Sequence, residues 1–148
     1  MQIDKFTSKL QDALSEAQSI AVGKDHNYLQ PVHLVLALLN QKAGSTQPLL
    51  AQMGVDVANF REELDHLVET LPKINENLGD IQMSQELSRL LNLADKYAQE
   101  RGDQFIASEV ILLAALEDKS ELGDLFTKYG IQKDQLERVI DQVRGGSN

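Results

Sequence analysis

Cysteine and tryptophan are absent from the 148 residues, and proline occurs only three times. Without cysteine there is no disulfide framework and no thiolate metal site, which suits a reducing compartment and points to the cytoplasm. No apolar run has the length needed to cross a bilayer, and the opening MQIDKFTSKL lacks the charged-then-apolar pattern of a secretory signal. A soluble chain with no membrane partner is therefore expected. Basic charge is scarce as well: 14 Lys and Arg stand against 23 Asp and Glu, a formal net charge of −9. That balance repels a polyphosphate backbone, and no Lys/Arg stripe with interleaved aromatics offsets it, so nucleic acid is not an expected partner.

The motifs of nucleotide and metal chemistry are missing too. No G-x-x-x-x-G-K-[ST] occurs, so no cradle for a nucleotide's phosphates exists and no cofactor is expected in this chain. His26, His33 and His66 are the sole imidazoles, and none has a partner at the i+4 spacing of a helical zinc site. The acidic stretch REELDHLVE, 61–69, has no EF-hand spacing. Its Arg61, Glu62, Glu63, Asp65 and Glu69 surround Phe60, Leu64, Leu67 and Val68, as on the solvated face of an amphipathic helix. No residue is assigned a catalytic, cofactor-binding or metal-binding role, and a binding module is expected instead of an enzyme.

What is present is a repeat. QPVHLVLALLNQ at 30–41 returns as ASEVILLAALED at 107–118, and an offset of 77 holds without a gap from Thr7 and Ser84 onward. Leu10, Leu14, Ala17 and Ala21 meet Leu87, Leu91, Ala94 and Ala98, the three-and-four spacing of one helix face. Leu34, Leu36, Ala37 and Leu39 meet Ile111, Leu113, Ala114 and Leu116 in helices that are apolar nearly all round. A helix without a polar face has to be enclosed, so each is the expected central pillar of its half.

After deletion of one residue, Leu49, Leu50, Met53, Gly54 and Val55 meet Leu125, Phe126, Tyr129, Gly130 and Ile131, and Phe60, Leu64 and Leu67 meet Leu136, Ile140 and Val143. The chain reads as an all-α, pseudo-twofold duplication of a four-helix repeat, about eight helices in one domain over 1–148. Repeat one covers about 7–72, a linker 73–83, repeat two about 84–144 and a flexible exit 145–148. Thr7 and Ser84 are expected helix caps worth about 1 kcal/mol each. Pro31 and Pro48 suit a first helical position, Gly54 and Gly130 suit left-handed residues past a helix end, Asp56 suits the cap of the fourth helix, and Pro72 stops that helix.

Function is sought where the copies disagree. Leu93 replaces Glu16 and, with Leu90 and Tyr97, widens the apolar arc of the fifth helix. Val110 replaces His33, Glu109 replaces Val32, and Asp103 replaces His26. These changes describe an apolar strip bordered by acids, suited to an extended peptide with apolar and basic side chains. Equally, Leu93, Tyr97 and Val110 can seal the junction between the halves.

The stretches FTSKLQDALSEAQSIAVGKDHNYLQPVHLVLALL, RGDQFIASE and the terminal RGG resemble the N-terminal domains of the bacterial ClpB disaggregase family, over essentially the whole chain. The resemblance implies a mobile helical module tethered ahead of two ATPase rings, in a homohexamer that threads aggregated proteins with the DnaK system. ATP belongs to that full-length protein, and the isolated domain is an expected monomer. The resemblance also implies that unfolded or aggregated clients meet an apolar groove and nearby polar residues, which here fall on Thr7, Asp103 and Glu109. The expected client-binding set is thus Thr7, Leu93, Tyr97, Asp103, Glu109 and Val110. The alternatives are an adaptor-docking domain of a related Clp unfoldase and a docking domain of the secretion-system unfoldase.

Overall fold

The computed structural model describes residues 3–75, 79 and 81–145. After a 3₁₀ turn at Ile3–Lys5, the first half contains α1 (Ser8–Gly23), the short strand β1 (Tyr28–Leu29), α2 (Pro31–Asn40), α3 (Thr46–Gln52) and α4 (Val57–Glu69). The second half contains β2 (Gln82–Met83), α5 (Gln85–Glu100), α6 (Ser108–Ala115), α7 (Glu121–Lys128) and α8 (Lys133–Gly145). The described residues thus form a duplicated four-helix arrangement with minimal strand. Residues 76–78 and 80 of the expected linker, and 146–148 of the expected exit, lie outside the described residues.

Local chemistry sets the helix ends. The Thr7 hydroxyl accepts from the Leu10 N–H at 3.2 Å, and the Ser84 hydroxyl from the Leu87 N–H at 3.0 Å, so both first helices of the repeat are capped alike. Asp56 accepts from the Asn59 N–H at 3.2 Å to start α4. Gly54 and Gly130 have φ of 83° and 72°, the left-handed turn that closes α3 and α7. Pro31 is the first residue of α2, whereas Pro48 is the third of α3. The difference costs nothing, because none of the first four N–H groups of a helix has an intrahelical partner.

Every residue of α2 from Pro31 to Leu39 is buried, and in α6 Ser108 and Val110 through Ala115 are buried. These are the two pillars. Around them pack Leu10, Ala13, Ala17 and Ala21 of α1 and Leu87, Leu90, Leu91, Ala94 and Ala98 of α5. Phe60 of α4 meets Phe126 of α7 edge-on, with ring centroids 5.4 Å apart, which joins the halves through one core. The α8 pattern needs one correction: Val139 and not Val143 joins Leu136 and Ile140 in the core, and Val143 is 56% exposed.

The halves are also tied crosswise through backbone. β1 pairs in parallel with β2, Tyr28 against Gln82 and Leu29 against Met83. The offset of 77 maps Met83 onto Phe6 and Leu29 onto Ile106, and Phe6 and Ile106 form a parallel bridge of their own. The Ser84 N–H donates to the Leu29 carbonyl and the Thr7 N–H to the Ile106 carbonyl, each at 3.0 Å. The segment before each pillar therefore pairs with the segment before the other half's first helix. The duplication folds as an interlocked pair.

Candidate functional site

The second half carries a charged cluster where its twin has buried side chains without a carboxylate or guanidinium. Arg144, in the last turn of α8, donates from Nη1 to both carboxylate oxygens of Asp103 at 2.9 and 3.0 Å. Its Nε donates to Glu109 Oε2 at 3.0 Å. Glu109 sits in the first turn of α6 and Arg144 in the last turn of α8, so each charge also suits the dipole of its own helix end. The three side chains are 17%, 18% and 30% exposed for Asp103, Glu109 and Arg144, so the cluster is half-buried and the guanidinium is its most exposed member. Partial burial works against the Arg144 charge, but the pull of Glu109 and the hydrogen bonds to Glu109 and Asp103 outweigh it and raise its pKa.

In the alignment the counterparts of this cluster are His26, Val32 and Val68. His26, Val32 and Val68 are buried. The buried core at that place in the first half has become an ion cluster at the surface of the second.

Toward the other end of α6, Leu93 is half-buried and lines a depression with Leu90, Ala114, Glu86, Arg89, Glu117 and Lys119. A neighbouring depression shares Glu86, Asp118 and Ser120 with it and continues over Pro31, Val32, Leu67, Leu71 and Leu122. Together they make a furrow that starts on α5 and crosses between the halves, with an apolar floor and mainly acidic rims. Tyr97, one turn beyond Leu93, is half-buried; its hydroxyl lies 3.5 Å from Glu117 and the Lys133 ammonium sits 4.9 Å above its ring centroid.

The expected site residues therefore divide. Thr7, Asp103 and Glu109 lie near the start of α6, where Thr7 caps α1 and holds the Ile106 carbonyl. Leu93 lies on the furrow at the end of α6, with Tyr97 beside its Glu117 rim. α6 is eight residues long, so its two ends are about 12 Å apart. Val110 requires a correction: it is fully buried and presents no surface to a ligand. Successive helical residues point about 100° apart, so a surface Glu109 turns its neighbour into the core.

Sequence reading missed Arg144, which pairs with both expected acids. The signal was present in the alignment, because Arg144 stands opposite Val68 once the single deletion is applied. No group of three His, Cys, Asp or Glu that could hold a metal occurs among the described residues. None of the described helices is long and apolar enough to cross a membrane.

The model of the Clp repeat (R) N-terminal domain matches residues 5–142. The chain belongs to that family. The Clp repeat match is to a non-catalytic N-terminal domain. The chaperone protein ClpB of Pseudomonas putida is 52% identical over 147 residues, which cover 99% of this chain and 17% of that protein. The chaperone protein ClpB of Vibrio vulnificus is 46% identical over 146 residues, again 99% of this chain and 17% of the relative. The chain thus spans about a sixth of the length of the curated relatives it matches. Among solved structures, the Hsp104 N-terminal domain from Candida albicans superposes with a TM-score of 0.83 at 23% identity, covering 95% of this chain and 92% of that one. A complex of the ClpV N-domain with VipB peptide gives a TM-score of 0.75 at 23% identity, covering 94% and 86%. At these identities the structures establish the Clp N-domain fold.

Proposed function

We propose that this domain binds unfolded or aggregated protein segments for an ATP-driven ClpB disaggregase. The observation that carries the reading is the furrow from Leu93 across the junction of the halves. Its floor of Leu90, Leu93, Val32, Leu71 and Leu122 offers apolar contact without a deep pocket, and Glu86, Glu117, Asp118 and Glu121 supply acidic rims. An extended segment with apolar and basic side chains matches that chemistry. Asp103 and Glu109, with Thr7 nearby, form the polar flank of the same half, while Val110 supports it from beneath.

Ordering a disordered client opposes binding, so one domain is expected to bind at micromolar or weaker dissociation constants. On this reading the whole protein is a cytoplasmic homohexamer that works with the DnaK system, and several copies of the domain compensate for weak single contacts through avidity. The isolated domain acts as a monomer.

A second reading, docking of one defined partner segment, is favoured by the complex of the structurally similar ClpV N-domain with a VipB peptide. Titration with several unrelated, permanently unfolded proteins separates the two. Sequence-tolerant binding, weakened several-fold by Leu93→Gln and by Glu109→Gln, supports the disaggregase reading. Binding of none of the unfolded proteins, or affinities untouched by both substitutions, would refute it.

A further inference from the structure

Asp103 and Glu109 are the acids expected to meet a client's basic groups, yet both are already engaged by Arg144. Asp103 gives both of its oxygens to one guanidinium nitrogen, and Glu109 gives Oε2 to another. With 17% and 18% of their side chains exposed, the two carboxylates lie beneath the more exposed arginine. A foreign cation can take the places of Nη1 and Nε on them only when that guanidinium leaves. The rest of the α8 end is held by exposed contacts: Asp141 pairs with Arg101, the Gln52 side-chain amide donates to Gln142 at 3.2 Å, and Val143 is 56% exposed.

We infer that Arg144 is an internal stand-in for a client's basic side chain, so that the end of α8 and the client compete for the Asp103–Glu109 pair. The inference rests on the proposed client-binding role and adds a regulatory contact to it. In the free domain the latch is closed, the carboxylates are neutralised and the end of α8 is held against the start of α6. A bound client takes over the carboxylates and frees the last turn of α8. Coupling of this kind is reciprocal: whatever pulls the α8 end away strengthens client binding by the same factor with which the client loosens the α8 end.

The alignment supports a device that belongs to one half only. The corresponding positions of the first half, His26, Val32 and Val68, are buried and include no carboxylate–guanidinium pair. Mere stabilisation of the fold is thus achieved in the twin by burial, and the second half has exchanged it for a contact that can open.

The test uses the whole 148-residue chain and a disordered synthetic peptide with spaced leucines and arginines, alongside a twin peptide with glutamine at the arginine positions. Arg144→Gln should tighten binding of the arginine peptide about three- to tenfold, by raising the fraction of open sites. Arg138→Gln, at an exposed position of the same helix, makes the same change in net charge and should not. Adding Glu109→Gln to Arg144→Gln should remove the gain. In the unmodified chain, hydrogen exchange of amides 141–145 should speed up on adding the arginine peptide, a readout that does not depend on any variant folding. Equal affinities for Arg144→Gln and Arg138→Gln, or slower exchange at the α8 end with peptide bound, would overturn the latch while leaving client binding intact. Failure of the unmodified chain to bind either peptide would overturn the proposed function and the latch with it.

Discussion

Mild acid should weaken this fold through two histidines at the head of the first pillar. His33 is fully buried and His26 nearly so, and their rings meet with His26 Nδ1 2.9 Å from His33 Nε2. The Gln30 N–H donates to His33 Nδ1 at 2.9 Å, which leaves the His33 proton on Nε2, pointing at His26 Nδ1. Both rings are therefore neutral: a proton added to His26 Nδ1 breaks the contact between the rings, and one added to His33 Nδ1 breaks the bond from Gln30. Burial and then the neighbouring His26 push His33 down from 6.5 to about 4; His26 is lowered as well, by burial first and then by Lys73, with Lys24, Asp25 and Glu69 also facing it.

Above pH 7 neither folded nor unfolded chain protonates His33. As pH falls through 6.5 the unfolded chain takes up the proton first, so stability drops until the folded ring protonates near pH 4. A displacement of that size corresponds to about 3 kcal/mol, or on the order of 1.5 M in a urea midpoint for a typical slope of about 2 kcal/mol per M. Glu63 and Glu69 have pKa values held below the usual carboxylate range, led by the hydrogen bonds from Lys128 and Lys24 respectively, so what they contribute is lost at lower pH. Urea denaturation followed by circular dichroism at pH 7.5, 6, 5 and 4.5 measures the effect. His33→Val, which copies Val110 of the second half, should be less stable at pH 7.5 but show a shallower dependence. A midpoint for the unmodified chain that stays flat from pH 7.5 to 5 would refute the argument.

Gly123 lies within α7 where an added Cβ would stand 1.8 Å from the Asp118 carbonyl oxygen. Gly123→Ala must displace backbone, and thermal or urea unfolding should show a loss of about 2 kcal/mol. Ser84→Ala removes the hydroxyl that satisfies the Leu87 N–H and should cost about 1 kcal/mol by the same assay, with Thr7→Ala costing a similar amount at the matching cap of α1.

The helices were legible because their signals are local. Caps at Thr7 and Ser84, glycines at 54 and 130 and the all-apolar pillars each report on a few neighbouring residues, and burial follows the alternation of side chains around a helix. The crosswise strand pairs were not legible: Tyr28–Leu29 and Gln82–Met83 are two residues each, too short for any period, and their pairing depends on how the halves interlock. For the same reason α8 misled the pattern, since Val139 and not Val143 faces the core once α8 lies along the end of α5. Within the site, Asp103 and Glu109 stood out because they break the repeat. Their partner Arg144 is more than 30 residues away in sequence, and only its opposition to Val68 hinted at the cluster. Val110 also breaks the repeat, but there the change exchanges one buried side chain for another.

Amide shift mapping with a permanently unfolded protein tests the central claim most directly, since the claim is that the altered second half receives the client. The account predicts shifts centred on Leu93 and Tyr97 along the furrow, with Asp103, Glu109 and the α8 end following. Shifts confined to α1 and the exposed face of α4, with α5 and the start of α6 unmoved, would contradict it.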